Sequence, residues 1–147
     1  VVDTTAIISY FSSIFNRKTQ LSRRALNIMR DAFEQEDKVI MIIPSVVFIE
    51  IFDKWFLGST YADEEFRAKL LAEVIYPIYS VTNIEMREID DEVVEEFLSL
   101  YDKDTKLEQH DRLILASAIV LDACLITSDR ELISFQKKYS QPPSIVT

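Results

Sequence analysis

Apolar positions along this chain alternate between two patterns. Continuous apolar runs, the signature of strands buried on both faces, occur at Val1-Val2, at 38–43 and at 123–127, and a shorter strand is predicted over 84–89 and another over 144–147. Between them the apolar residues recur at helical spacing. Ala6, Ile7, Ile8, Tyr10, Phe11, Ile14 and Phe15 predict a first helix after Thr4-Thr5, and Leu21, Ala25, Ile28, Met29, Ala32 and Phe33 a second that starts near Ser22 and runs to about Glu36. Pro44 is expected to stop the strand over 38–43, with Ser45 as N-cap of a third helix containing the apolar stretch Val46 to Phe52. Further helices are predicted over 63–74, ended by Pro77, from Asp90 or Asp91 to Tyr101, over 111–121, and over 131–138.

Alternation of apolar strands with helices predicts an α/β fold: a parallel sheet with helices on both faces. The 147 residues are the length of one domain, and 48% hydrophobic residues suffice for a real core. One Gly and four Pro leave few tight turns, and no linker or repeat is evident.

The stretch from Gln109 to Arg130 organises the rest. Its helix of about eleven residues descends roughly 17 Å and the following strand of about five residues climbs back roughly 17 Å, so Asp111 at the start and Asp129 at the end return to the same edge of the sheet. In an open parallel sheet, the edge beyond the carboxyl ends of the strands is where ligands bind. Asp3 closes the first strand and lands there too. Glu50 falls on an apolar helix about 7 Å below that edge, where a carboxylate is costly unless it meets a cation or a metal. Four carboxylates without matching Lys or Arg repel one another, which calls for divalent cations or retained protons. Oxygen ligands of this kind suit Mg²⁺ or Mn²⁺, and metal-assisted phosphodiester hydrolysis is the natural reaction.

Charge narrows the picture. A net charge of −9 excludes a broad electrostatic grip on nucleic acid, so a phosphate-bearing substrate has to be held by local groups and metal ions. The single cysteine, Cys124, rules out an internal disulfide and is expected as a small buried hydrophobe within its strand. No apolar run is long enough for a membrane span and no signal peptide is evident, so a cytoplasmic protein is expected.

With these residues in view, the sequence resembles the PIN-domain family. Val2-Asp3-Thr4-Thr5, Ile43-Pro44-Ser45-Val46-Val47-Phe48-Ile49-Glu50, His110-Asp111-Arg112-Leu113-Ile114-Leu115-Ala116-Ser117-Ala118 and Ile126-Thr127-Ser128-Asp129 are similar to its four motifs, in family order, over almost the whole chain. The resemblance implies a three-layer sandwich around a mostly parallel five-stranded sheet of order 3-2-1-4-5, and Mg²⁺- or Mn²⁺-dependent cleavage of RNA. It makes Asp3, Glu50, Asp111 and Asp129 the catalytic metal ligands, and Thr5 and Thr127 the hydroxyls that orient them. Within the family, VapC-type toxins of toxin–antitoxin pairs are the most similar, which implies a small antitoxin partner and a homodimer. An RNA-processing nuclease and a catalytically idle interaction domain are the alternatives. A haloacid-dehalogenase-like phosphatase fits poorly, because it needs a second Asp where Thr5 stands.

Other residues carry lesser expectations. Arg17, Lys18, Arg23 and Arg24 form the densest basic group, a candidate RNA contact that is more often a solvated face. His110, the one histidine, is expected to pack or cap beside Asp111. Helix capping by the acids competes with metal binding: it accounts for Asp111, and for Asp129 or Asp3, but not for Glu50. Phe52, Trp55 and Phe56 are expected in the core or at a dimer face. The insertion from Trp55 to Ile84 is expected to place a helix over the site.

Overall fold

A computed structural model describes residues 1–36, 38–53, 64–101, 107–139 and 143–147. It is a mixed α/β structure whose described strands are short and parallel. Strand β1 (Met41–Pro44) pairs with β2 (Ile84–Arg87), Met41 opposite Ile84 and Pro44 opposite Arg87, and β3 (Leu125–Ile126) pairs with β4 (Ile145–Val146). The amino-terminal segment lies between these pairs. The Val2 N–H donates to the Ile42 carbonyl at 3.0 Å on one side, while on the other the Ile126 N–H donates to the Val1 carbonyl at 2.8 Å and the Asp3 N–H to the Ile126 carbonyl at 3.2 Å. Across these hydrogen bonds the order is β2, β1, residues 1–3, β3, β4.

The helices are α1 (Thr4–Tyr10), α2 (Arg23–Phe33), α3 (Ser45–Phe52), α4 (Glu64–Leu70), α5 (Tyr76–Ser80), α6 (Asp91–Tyr101), α7 (Gln109–Val120) and α8 (Arg130–Tyr139). Helix α2 starts as its sequence requires, with the Ser22 hydroxyl oxygen accepting from the Ala25 N–H at 3.2 Å. Asp90 does the same for α6 through the Val93 N–H at 3.1 Å. Helix α7 packs against α6 and α3 and buries Ile114, Leu115, Ala116 and Ala118. These residues join Ile7, Met29, Ile43, Ile51, Leu125 and Leu132 in the core. Tyr10, Phe11 and Phe33 bind α1 to α2, with ring centroids 5.0 to 5.6 Å apart.

Several boundaries differ from the sequence expectation for identifiable reasons. Helix α1 ends at Tyr10 rather than near Phe15, and the chain turns through Asn16, which takes a positive φ of 49°. The strand predicted over 38–43 begins only at Met41, leaving Ile40 63% exposed. Pro44 ends that strand, as expected, and is its last residue. Its φ of −57° and ψ of 139° suit both a strand end and the residue before a helix, so Pro44 takes the N-cap position and Ser45 makes no capping bond. Pro77 does not end its helical segment. After α4 the chain widens into a π-helical turn, Leu71–Ile75, closed by the Tyr76 N–H on the Leu71 carbonyl, and Pro77 falls in the first turn of α5, where a missing N–H is tolerated. Cys124 is exposed rather than buried, because β3 starts one residue later. Phe52 is 41% exposed at the end of α3, while Trp55 and Phe56 lie outside the described residues. Among the described residues, no helix is long and apolar enough to cross a membrane.

The packing yields a direct test of the core. Ile114→Ala on α7, at a fully buried position, is expected to lower stability by about 2–5 kcal/mol in urea denaturation, whereas Val94→Ala on the exposed side of α6 is expected to change it by about 0.5 kcal/mol or less.

Candidate functional site

Beyond the carboxyl ends of the strands the chain forms an open cleft of about 490 Å³ lined by Asp3, Glu50, Glu108, Asp111, Asp129 and Glu131, together with Thr4, Thr5, Gln20, Ser128 and Arg130. The four acids singled out in the sequence come from four separated stretches. Asp3 follows the amino-terminal segment, Glu50 sits in the second turn of α3, Asp111 in the first turn of α7, and Asp129 between β3 and α8. Asp3 and Glu50 are buried, at 1% and 4% exposure, whereas Asp111 and Asp129 are half-buried. All four meet the same space. Among the described residues, however, no three Asp, Glu, His or Cys side chains already form a group that could hold a metal ion.

Asp3 is the most heavily bonded of the four. Its Oδ1 accepts from the Ala6 N–H at 2.7 Å, capping α1. The Thr5 hydroxyl donates to the same carboxylate, at 3.0 Å from Oδ1 and 2.9 Å from Oδ2, and the Thr127 hydroxyl donates to Oδ2. Both threonines are held in turn by the loop after β3. The Asp129 N–H donates to Thr127 Oγ1 at 2.9 Å, and the Ser128 N–H and hydroxyl each donate to Thr5 Oγ1 at 3.0 Å. Asp129 caps α8 through Oδ1, which accepts from the Glu131 N–H at 2.7 Å and the Leu132 N–H at 3.2 Å. Capping therefore belongs to Asp3 and Asp129. For Asp111 the sequence expectation is reversed: it lies inside the first turn of α7, whose N-cap position is Glu108, and the Glu108 side chain makes no capping bond. His110 is half-buried beside it and does not line the cleft.

Electrostatics carry the mark of this convergence. The Asp111 carboxyl is pushed up to about 7, first by burial and then by the negative charges of Asp129, Glu50, Asp3 and Glu108. Asp3 is also raised to about 7: burial outweighs the bonds from Thr127, the Ala6 N–H and Thr5, and Asp129 adds to the rise.

Several lining residues were not singled out in the sequence. Thr4 is one: its hydroxyl donates to Glu50 Oε2. Its place directly after Asp3 at a helix start was an available signal, but the partner is 46 residues away. Gln20 and Glu108 border the cleft from loops, and Arg130 and Glu131 from the first turn of α8. Arg112 is 2% exposed and acts at one remove. Its Nη2 donates to the Leu107 carbonyl at 3.0 Å and its guanidinium lies 5.6 Å from the Phe97 ring centroid, which ties the turn bearing Asp111 to α6. The basic group Arg17, Lys18, Arg23 and Arg24 is exposed and none of it lines the cleft; among the described residues the basic one that does is Arg130. No described residue of the insertion lines the cleft either, so the helix expected over the site is absent from the described part.

An α/β chain with parallel strands and an acid-lined cleft at their carboxyl ends is the class that fold and site define. It is similar in fold to a chain of a solved structure described as a toxin–antitoxin complex from Klebsiella pneumoniae, with a TM-score of 0.54 and 21% identity, over 99% of this chain and 94% of the other. No protein-family model matches the sequence, and no curated protein matches it.

The raised carboxyls give a pH dependence whose sign follows from linkage. In the metal-free chain, Asp3 and Asp111 keep protons in the folded state between their ordinary value of 3.8 and about 7, while the unfolded chain releases them. The folded state then binds more protons, so stability falls as pH rises through that window and levels off above it. Thermal melts in chelator from pH 4 to 8 (roughly the span of those two values) should show this decline, and Asp111→Asn should flatten it.

Proposed function

We propose that this chain is a divalent-metal-dependent ribonuclease of the PIN-domain type that serves as the toxin of a toxin–antitoxin pair. The observation that carries the reading is the convergence of Asp3, Glu50, Asp111 and Asp129 on one cleft, with their charges acting on Asp111. Two further observations support it. The strand order β2, β1, residues 1–3, β3, β4 corresponds to the family's order 3-2-1-4-5 once the amino-terminal segment is taken as the first strand. The structure similar in fold is described as a toxin–antitoxin complex.

The donor set fits a hard cation. The acids that line the cleft offer oxygen alone, without imidazole or thiolate, and an open set of carboxylates suits Mg²⁺ or Mn²⁺, which keep several waters. Asp3, Glu50, Asp111 and Asp129 would hold it. When bound, such an ion lowers the pKa of a water and offsets charge on a scissile phosphate. The chain's own residues do the positioning. Thr5 and Thr127 fix the Asp3 carboxylate, and the capping bonds hold Asp129 through its Oδ1. Arg130 offers a guanidinium to phosphate, while the surrounding acids and the net charge of −9 exclude a strong non-specific grip, so single-stranded RNA would be cut at few sites. A small antitoxin would cover this cleft, and a homodimer would carry two copies of it.

One observation favours an idle interaction domain: Asp3 and Asp129 both cap helices. It does not account for Glu50 or Asp111, which cap nothing.

Purified chain is expected to cleave single-stranded RNA in Mn²⁺ or Mg²⁺, to lose cleavage in EDTA, and to lose about 100-fold or more of its rate on Asp111→Asn. Cleavage undiminished by EDTA would overturn the metal mechanism. Expression of the chain alone should arrest growth, with relief on co-expression of its genomic neighbour. Harmless expression of a metal-binding, RNA-cleaving chain would move the reading to an RNA-processing nuclease.

A further inference from the structure

The Thr4 hydroxyl stands apart from the other two threonines of the cleft. Thr5 and Thr127 both serve Asp3, whereas Thr4 crosses from α1 to α3 and donates to Glu50 Oε2. We propose that Thr4 is a positioning residue that holds the Glu50 carboxylate turned into the cleft as a cation ligand, an inference that rests on the divalent-metal reading above.

The local structure makes Thr4 a well-defined donor. It is the first residue of α1 and 2% exposed. Within a helix a threonine hydroxyl bonds the carbonyl three or four residues back, but at the first helical position no earlier turn exists, so the hydroxyl is available for another partner. A β-branched side chain is stiff about χ1, and the helix start itself is pinned by the bond from the Ala6 N–H to Asp3. The donor thus points in one direction.

Glu50 needs such a restraint. Its side chain has more rotatable bonds than Asp and sits on a helix whose neighbouring residues Ile49 and Phe52 are 51% and 41% exposed. A hydroxyl carries one proton, so the bond from Thr4 engages a single lone pair, on Oε2 of Glu50. Because Thr4 follows Asp3 directly in the chain, the same helix start fixes two acids: Asp3 through its cap and Glu50 through the neighbouring hydroxyl. A hydrogen bond that orients a ligating carboxylate changes metal affinity by about 10- to 100-fold.

Calorimetric titration of the full chain with Mn²⁺ tests this, using Thr4→Val, which keeps the shape and loses the hydroxyl, and Thr4→Ser, which keeps the hydroxyl. Thr4→Val is expected to bind Mn²⁺ about 10- to 100-fold more weakly, and Thr4→Ser to stay within a few-fold of the unaltered chain. In a Glu50→Ala background, which removes the acceptor, Thr4→Val should cost little more, since the two residues act as one unit. Circular dichroism checks folding; if Thr4→Val is unfolded, comparison of Thr4→Ser with Thr4→Ala isolates the hydroxyl instead. Unchanged affinity in Thr4→Val, or full additivity with Glu50→Ala, overturns the role of Thr4 alone. Absence of Mn²⁺ binding by the unaltered chain overturns the metal reading, and the positioning role of Thr4 falls with it.

Discussion

The Asp3 carboxylate is the group on which the two halves of this structure meet. Its own backbone N–H bonds β3, the preceding Val2 N–H bonds β1, and its side chain gathers the helix start of α1 and the hydroxyl of Thr127. A carboxylate with 1% exposure is tolerated only because several donors converge on it. Remove those donors and the acid is a buried charge without compensation, held in the one segment that lies between two separate strand pairs. Stability and site geometry therefore depend on the same bonds.

That dependence explains why the loops around the cleft form a connected unit. Thr5 and Thr127 each act in both directions, donating to Asp3 and accepting from the loop that carries Ser128 and Asp129. Asp129 completes the circuit as cap of α8. On the far wall, Arg112 anchors the turn bearing Asp111 through the Leu107 carbonyl and the face of Phe97. The two acids with raised protonation, Asp3 and Asp111, both belong to this frame, each raised by burial and by the charge of Asp129.

The frame also separates structural from chemical duty among the acids. Asp3 and Asp129 satisfy helix N-termini, roles common for aspartate in any fold. Glu50 and Asp111 do not cap, and nothing in helix formation requires a carboxylate at either position. Their presence in the cleft, with that of Glu108 and Glu131, concentrates negative charge in a place where packing alone would favour neutral residues.

The alternation of apolar runs and helical spacing in the sequence by itself determined the α/β class, the approximate place of most elements and the arrival of four acids at one sheet edge. The reason is geometric: helix rise and strand rise convert residue count into height, so residues at strand ends and helix starts share an edge whatever the details. Short-range chemistry was legible as well where it closes within a few residues, as at Ser22 and Asp90. Only the tertiary structure decided what depends on distant partners. Pro77 lies inside a continuing helical segment because a π-helical turn precedes it and places it in the first turn of α5. Arg17, Lys18, Arg23 and Arg24 are outside the cleft and Arg130 lines it because the placement of the first turn of α8 in the fold, which no periodicity encodes, sets which of these cations meets the acids. The bond from Thr4 to Glu50 spans 46 residues and two helices, and no local pattern in the chain announces it.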